Sequence, residues 1–520
     1  MEQLRELSAT STFLPVLTST ILLLLSISLL IRKVTSSSSP GPPPPPGPWR
    51  LPVIGNLHQL VSSLPHQRLR HLARKYGPDV MSLQLGELPH LVVSSSQAAR
   101  EVMKTHDVIF ASRPSLLGAD MVMYAGSDLV FTAYTETYKH LRKACVSELL
   151  GAGRVKYFSP VREAEMADFI DSLSLKAAAG EAVDIGKEAF WLSTRVTCQT
   201  ALGKAMELDD GFLKMVENVS DILGGFKVSD LFPSMKFLAV ISGYKGKLRK
   251  MHSEAESMLD QIINEHKEKR AAAKSRGSID SSTAPDDLVD VLLNLQESGT
   301  LHFNLTTKNI KGALLEVFLA GVETSSTTID WMMAEMMKDQ RVLRKAQEEV
   351  RQVYSGKFNV DESSLHELKY LDSVVKESLR LHPPVPLLIP RESREKVEIC
   401  GYEIPAKTKV IVNAWTIGRD PHYWKEPEKF YPERFLDCLT DYKGNDFEFI
   451  PFGAGRRMCP GMHYASIFIK LTFANLLYHF DWKFAEGMGP ENLDMAEIFG
   501  LTVRRKSSLC LIPVSRDAMV

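Results

Sequence analysis

Several things are scarce in this 520-residue chain, and each scarcity removes a class of function. There is no excess of charge: 62 Lys and Arg stand against 63 Asp and Glu, a formal net charge of −1. Nothing therefore marks it as a nucleic-acid binder, and the two signs are interspersed as on a solvated surface. Six cysteines (Cys145, Cys198, Cys400, Cys438, Cys459, Cys510) are scattered without a C-x-x-C pair, which argues against a zinc site and a disulfide framework; five read as ordinary buried thiols. No G-x-G-x-x-G fingerprint is present, so the chain brings no nucleotide or flavin module of its own. There is no internal repeat. Length alone suggests two or three domains, yet nothing in the middle looks like a domain linker.

Long hydrophobic runs are also scarce, with one exception. Phe13 to Ile31 is uncharged and dominated by Leu, Ile and Val; its reach of roughly 28 Å is close to the hydrocarbon thickness of a bilayer. Arg32 and Lys33 follow it, which puts that side in the cytoplasm. A cleaved signal peptide is the alternative, but it wants basic charge before the run and a small-residue cleavage site after it. The expected division is an N-terminal membrane anchor over residues 1–34 (span about 13–31), a Ser/Pro-rich hinge over 35–50, and one catalytic domain over 51–520. The hinge, with its polyproline run Pro42 to Pro46, reads either as a semi-rigid spacer or as a simple tether. Asn218-Val219-Ser220 and Asn304-Leu305-Thr306 match the glycosylation pattern and would stay unmodified on the cytoplasmic face.

Further along, Val80–Leu85 and Leu91–Ser94 alternate around Gly86 and Pro89 and predict a strand pair. From Ser96 onward the pattern is mostly helical. Ala271 to Asp287, rich in Ala, Ser, Lys and Asp, reads as an exposed loop. Thr306 to Asp339 is the longest uninterrupted helical pattern, with Thr306 as N-cap. Its middle is apolar nearly all round and hence buried. Within it stand Gly321, Glu323, Thr324 and Ser325, polar groups that are costly there without partners or a task. One reading has Thr324 bonding back to a carbonyl one turn earlier and Glu323 pairing with a basic neighbour; the other gives them chemistry.

The sharpest motif is Phe452-Gly453-Ala454-Gly455-Arg456-Arg457-Met458-Cys459-Pro460-Gly461. Glycines permit close backbone approach and positive φ, and proline suits the first turn of a helix. Cys459 is thus expected in a tight loop at a helix N-terminus, where backbone N–H groups and nearby arginines favour a thiolate. An amide-bonded thiolate with an open face is what a haem iron needs as proximal ligand.

This segment resembles the haem-binding loop of the cytochrome P-450 monooxygenases, and other blocks agree in order. Ala320-Gly321-Val322-Glu323-Thr324-Ser325 resembles the oxygen-activating motif, Glu377-Ser378-Leu379-Arg380 the E-x-x-R pair, and Pro432-Glu433-Arg434-Phe435 the PERF box. The proline-rich entry, Phe452 to Arg457, and Phe499-Gly500-Leu501-Thr502-Val503 are similar to the plant microsomal, family-71-like branch.

The resemblance implies a mainly α fold with a smaller β region and a long central helix over the haem. It implies haem b held by Cys459, with Phe452 and Gly455 shaping the loop. Arg457, Arg142, Arg391 and Tyr138 would serve the haem carboxylates, although Arg142 and Arg457 could equally be surface arginines. The family usually shows Trp-Arg where this chain has Tyr138-Lys139, which trades ring area and a forked donor for a hydroxyl and a point charge. Thr324 and Glu323 would donate and relay the protons that oxygen activation consumes. Glu377, Arg380 and Arg434 would form a structural triad. By family position, substrate contacts fall near Pro114 to Phe131, Leu315 to Ala320, Val385 to Ile389 and Ile498 to Leu501. These apolar segments suit a terpenoid, a sesquiterpene or diterpene; alternatives are an alkaloid or phenolic substrate, a haem-thiolate isomerase or dehydratase, or a haem sensor. Implied partners are O2, NADPH-cytochrome P-450 reductase and the membrane, with no nucleic acid. The implied location is the endoplasmic reticulum membrane, single-pass, with the catalytic domain facing the cytoplasm.

Overall fold

A computed structural model of the chain describes residues 42–60, 64–124, 126–203, 210–224, 226–275, 287–299, 301, 303–357 and 359–516. Helices dominate it, as expected. Those that build the site are α1 (Glu136–Glu148), α2 (Ile185–Leu202), α3 (Asp210–Leu223), α4 (Thr307–Lys338), α5 (Lys369–Leu381) and α6 (Met462–His479). The strands that matter are β1 (Val80–Leu85), β2 (Leu88–Val93), β3 (Arg391–Glu392), β4 (Lys409–Val412), β5 (Glu497–Phe499) and β6 (Val503–Arg505).

Helix α4 is the axle of the molecule. Thr306 caps it as expected: its hydroxyl accepts the Asn309 N–H at 3.2 Å, and the Asn309 side chain accepts the Thr306 N–H at 3.1 Å. This reciprocal pair satisfies two of the orphan donors at the helix start. Between Asn309 and Met337 most residues are buried, the exceptions being Val317, Leu319 to Gly321, Thr324 and Asp330, because α4 packs along α2 on one side and against α5 and α6 on others. Met332, Met333, Met336 and Met337 fill the core with α5 and α6, flexible side chains suited to an irregular helix junction.

The main sheet has the order β1-β2-β4-β3. β1 and β2 form an antiparallel hairpin with Val80 opposite Val93, turning through Gly86 at φ +58°. β2 then pairs parallel with β4 from His90 onward. The second strand starts at Leu88, earlier than the sequence suggests. Pro89 is tolerated because it lies before the parallel pairing begins, where its missing N–H costs no ladder bond. A hairpin of β5 and β6 presents the 499–503 turn toward the interior.

Three expectations change. Ala271–Ser275 end a helix, Tyr244–Ser275, instead of opening a loop; the alanines and lysine there favour helix over coil. Residues 276–286 lie outside the described set, and Asp287 caps the next helix. The described part of the proline run is docked: the Pro46 and Pro43 carbonyls accept the N–H groups of Ser82 at 2.7 Å and Glu403 at 2.9 Å. Finally, among the described residues no helix is long and apolar enough to cross a membrane. The expectation of a single-pass endoplasmic reticulum protein is therefore corrected; Phe13 to Ile31, on which it rested, lies outside the described residues.

Glu377, Arg380 and Arg434 do come together. Arg380 grips Glu377 with two bonds of 2.8 Å, and Arg434 Nε reaches it at 3.0 Å. Arg380 also donates to the carbonyls of Gly418, Pro427 and Lys429, so this ion pair fastens α5 to the 418–434 segment. Both Glu377 and Arg380 are essentially inaccessible. Arg380→Ala should strand a buried carboxylate and destabilise the protein by about 3–5 kcal/mol, read as a lower urea midpoint. Arg380→Lys should recover only part of the loss, since a point charge cannot serve so many acceptors.

Candidate active site

Cys459 ends a segment that folds back sharply. Gly453 and Gly455 take φ of +68° and +70°, a region that costs other residues strain. At Gly455 a Cβ would lie 2.2 Å from the Met103 carbonyl oxygen and 2.8 Å from Asp107 Oδ1, so only glycine fits. The Phe452 carbonyl accepts the Cys459 N–H at 3.0 Å, and its ring packs edge-on to Tyr442 at 5.2 Å. Pro460 and Gly461 lead into α6, which starts at Met462, slightly later than the proline suggested.

The sulfur of Cys459 is exposed, but toward an interior cavity of about 310 Å³. Enclosure by protein pushes its thiol pKa up, opposed by backbone N–H groups of Gly461 and Met462 and by Arg142. The expected thiolate-favouring environment is therefore only half of the balance. Two amides already point at the sulfur, and a cation beside it would complete the shift to thiolate.

Beside the cysteine loop lies an unusual concentration of buried positive charge. Arg457 donates to the carbonyls of Ala111 at 2.7 Å, Leu129 at 3.2 Å and Thr132 at 2.5 Å, and lies 3.6 Å over the Tyr138 ring. Arg391 donates to the Ala454 carbonyl at 2.9 Å; its Nη1 is buried without a hydrogen bond, 3.6 Å from Asp107 Oδ1. Arg142 donates to the Met458 carbonyl at 2.6 Å. The Tyr138 hydroxyl reaches the Arg456 carbonyl at only 3.4 Å. All four line the cavity, so Arg142 and Arg457 are not surface residues.

Sequence reasoning missed Arg113, which joins them. It donates to the carbonyls of Val130, Ile389 and Pro390 at 2.7–2.8 Å. Burial, then repulsion by Arg457 and Arg391, drives its pKa well below the usual value, and burial lowers Arg391 to about 10. The available signal was a single charge inside the apolar stretch from Val108 to Leu117. Three guanidiniums that repel one another in a low-dielectric site are half of an interaction whose other half is anionic.

Across the cavity, α4 contributes Glu316, Val317, Leu319, Ala320, Gly321, Glu323 and Thr324. The Thr324 hydroxyl donates back to the Ala320 carbonyl at 2.6 Å, the plainer of its two expected states. Glu323 is buried and turned toward the outer wall: it accepts from Thr502 and Ser220, with Arg504 Nε 3.8 Å away. Desolvation raises its pKa above the normal carboxyl value, so it can hold a proton nearer neutrality. Of the expected substrate segments, Met123, Leu129 to Phe131, Val385, Leu388, Ile389 and Leu501 line the cavity, whereas Ile498 is exposed. Helix α3 was not anticipated there; Val216, Val219, Ser220 and Leu223 face inward, a 3–4 residue spacing that marks one helix face.

Residues 44–511 match the family model described as cytochrome P450. The chain is 47% identical to 5-epiaristolochene 1,3-dihydroxylase of Nicotiana tabacum, covering 94% of this chain and 96% of that one. It is 46% identical to premnaspirodiene oxygenase of Hyoscyamus muticus, covering 95% and 97%. Among solved structures, a zebra fish cytochrome P450 with abiraterone superposes with a TM-score of 0.73 at 24% identity, covering 88% of this chain and all 100% of that one. The chain belongs to the cytochrome P450 family. It is accordingly a haem-dependent monooxygenase that uses O2, an organic substrate and electrons from a redox partner. The residues present fit that group: a cavity-facing sulfur with amides aimed at it, and buried arginines short of anions.

Gly455→Ala should release haem or prevent its uptake, because a methyl group must displace backbone as well as adopt positive φ. Gly453→Ala carries only the backbone strain, of order 1–3 kcal/mol, since its nearest neighbour is Leu388 Cδ1 at 3.8 Å. Haem-to-protein ratios should rank wild type, Gly453→Ala, Gly455→Ala; equal ratios for the two variants would contradict the steric account.

Proposed function

We propose that residues 51–520 form a monooxygenase domain in which Cys459 ligates the haem iron and which hydroxylates a terpenoid hydrocarbon. The observation that carries this reading is the Cys459 sulfur opening, with two amides on it, into a cavity walled opposite by Ala320, Gly321 and Thr324. Haem, when bound, supplies the activation of O2 for insertion of one oxygen atom into a C–H bond. The protein's own groups bind, orient and move protons. Phe452 and Gly455 keep the ligand loop flat and close. Arg457, Arg391, Arg142 and Tyr138, joined by Arg113, receive the two haem carboxylates, which offset the charge those arginines bury.

Thr324 and Glu323 handle protons. The Thr324 hydroxyl donates to the Ala320 carbonyl at rest and rotates to donate into the cavity, a change that costs one hydrogen bond of about 1 kcal/mol. Glu323, whose carboxyl is biased toward its protonated form by burial, stands between the cavity and Arg504, which is partly exposed. Ser220 and Thr502, whose hydroxyls lie 3.3 Å apart, also give it hydroxyl partners through which a proton can pass.

The aliphatic wall supports the substrate class: Val216, Val219, Leu319, Val385 and Leu501 offer shape and few polar contacts, as suits a hydrocarbon. The relatives' names, a dihydroxylase of 5-epiaristolochene and an oxygenase of premnaspirodiene, support a sesquiterpene. Electrons come from NADPH-cytochrome P-450 reductase, docking on the cysteine side. There Lys139, Lys443 and Arg456 are exposed, each with an acidic neighbour it can release.

Incubation with the reductase, NADPH and a panel of sesquiterpene and diterpene hydrocarbons tests the reading; a spin-state shift and an oxygenated product are expected for at least one sesquiterpene. Cys459→Ser should abolish the haem-thiolate carbon monoxide spectrum. Thr324→Ala should consume NADPH while releasing hydrogen peroxide, with product formation down about 10-fold or more; fully coupled turnover in that variant would remove Thr324 from proton delivery.

A further inference from the structure

Glu316 lies one turn before Ala320 on α4, lines the cavity and is buried. Each of its two carboxyl oxygens accepts one backbone N–H: Oε2 that of Leu129 at 2.6 Å and Oε1 that of Val130 at 2.7 Å. Asn309, Gly312 and Glu316 form one stripe of α4, and all three meet the same loop. Asn309 Nδ2 reaches the Ser127 carbonyl at 3.4 Å. A Cβ on Gly312 would be 2.8 Å from that same oxygen, so the glycine admits the loop.

The loop has its own carboxyl. Asp128, wholly buried, accepts the N–H groups of Phe131 at 2.7 Å and Thr132 at 2.8 Å through Oδ1. Its Oδ2 is buried and receives no donor from the protein, and the Glu316 carboxyl, bonded to the N–H groups of the next two residues, is near enough for the two groups to raise each other's cost of ionisation. Two carboxylates cannot share that space while both are ionised. A single proton between them supplies the missing donor.

The opposite edge of the same peptides faces the arginines. Leu129 and Thr132 carbonyls bind Arg457, and the Val130 carbonyl binds Arg113. We propose that Glu316 and Asp128 share one proton and act as a positioning pair that sets the 129–132 segment against both the substrate cavity and the arginines reserved for the haem carboxylates. The proposal rests on the reading of this cavity as the haem and substrate space.

The charged and titratable groups facing the pair are Arg113 and Arg457 on the Asp128 side and Cys145 of α1 on the Glu316 side. Burial, and then Glu316 itself, pushes the Cys145 thiol up to about 12, so it stays neutral. Desolvation and the neighbouring Asp128 raise the Glu316 carboxyl well above its ordinary range; Asp128 is raised as well, chiefly by burial. A group with a raised folded-state pKa stabilises fully below its unfolded value and loses that contribution as pH climbs through the folded value. The pair should therefore weaken toward alkaline pH.

Asp128→Asn separates the charge from the geometry. Its Oδ1 can still accept from Phe131 and Thr132, while Nδ2 donates to Glu316 in place of the shared proton. The holoenzyme is titrated with 5-epiaristolochene, following the spin-state shift, and haem release to apomyoglobin is timed, both across neutral to alkaline pH. Wild type should lose affinity and release haem faster as pH rises, approaching tenfold per pH unit where one proton is lost. Asp128→Asn should remove that dependence. Glu316→Gln, which turns an amide N–H2 against a backbone N–H, should weaken binding and speed haem loss at every pH. If Glu316→Gln fails to fold, the Asp128→Asn profile still decides. A wild-type pH dependence that survives unchanged in Asp128→Asn, or a flat wild-type profile, overturns the shared proton. Absence of any spin-state shift in wild type with the whole sesquiterpene panel would instead indict the functional reading.

Discussion

Backbone carbonyls from well-separated segments converge on buried guanidinium groups, and the geometry of the site depends on that convergence. Arg457 collects Ala111, Leu129 and Thr132; Arg113 collects Val130, Ile389 and Pro390; Arg391 takes Ala454 and Arg142 takes Met458. Partial charges on fixed peptides replace the water that each arginine gave up, and in doing so they pin four stretches of chain around one space. Arg380 repeats the device outside the cavity, binding three carbonyls and Glu377. The fold can keep these cations inside because an anionic cofactor is expected among them and because their donors are mostly spent on main chain.

Much of this was readable from residues in a row. The α4 helix came out nearly to the residue, since a threonine cap, an apolar middle and the absence of proline are all local signals. The cysteine loop was equally plain, because positive-φ glycines and close approach leave few other residues possible. The Glu377–Arg380–Arg434 triad entered by resemblance. What stayed hidden depends on chain segments far apart. Arg113 and Arg457 are separated by hundreds of residues, and only the folded structure shows that they repel one another. The bond from Glu316 to Leu129 and Val130 is hidden for the same reason, since a backbone N–H has no signature in the sequence.

Other differences have local causes that sequence patterns weigh poorly. Pro89 pointed to a later strand start, yet its position before the parallel ladder makes it harmless. Ala271–Ser275 carried a loop-like composition but continue a long helix, where alanine and lysine are at home. The proline run looked like a spacer, and its carbonyls are instead bonded to Ser82 and Glu403. Thr324 and Glu323 were expected to donate and relay protons, or else to bond back to the helix and pair with a basic neighbour. They face different ways at rest, one hydroxyl folded onto its own helix and one carboxyl toward α3 and the 499–503 turn.

The 129–132 segment divides its labour by atom type. Its N–H and C=O groups are occupied by Glu316, Asp128, Arg113 and Arg457, while the side chains of Leu129, Val130 and Phe131 form part of the cavity wall. Any amino acid but proline offers the same peptide atoms. Side chains here can therefore diverge between related enzymes, reshaping the chamber for a new hydrocarbon, without disturbing the charge arrangement behind it. Such a wall is open to evolutionary change because its obligations are carried by the backbone.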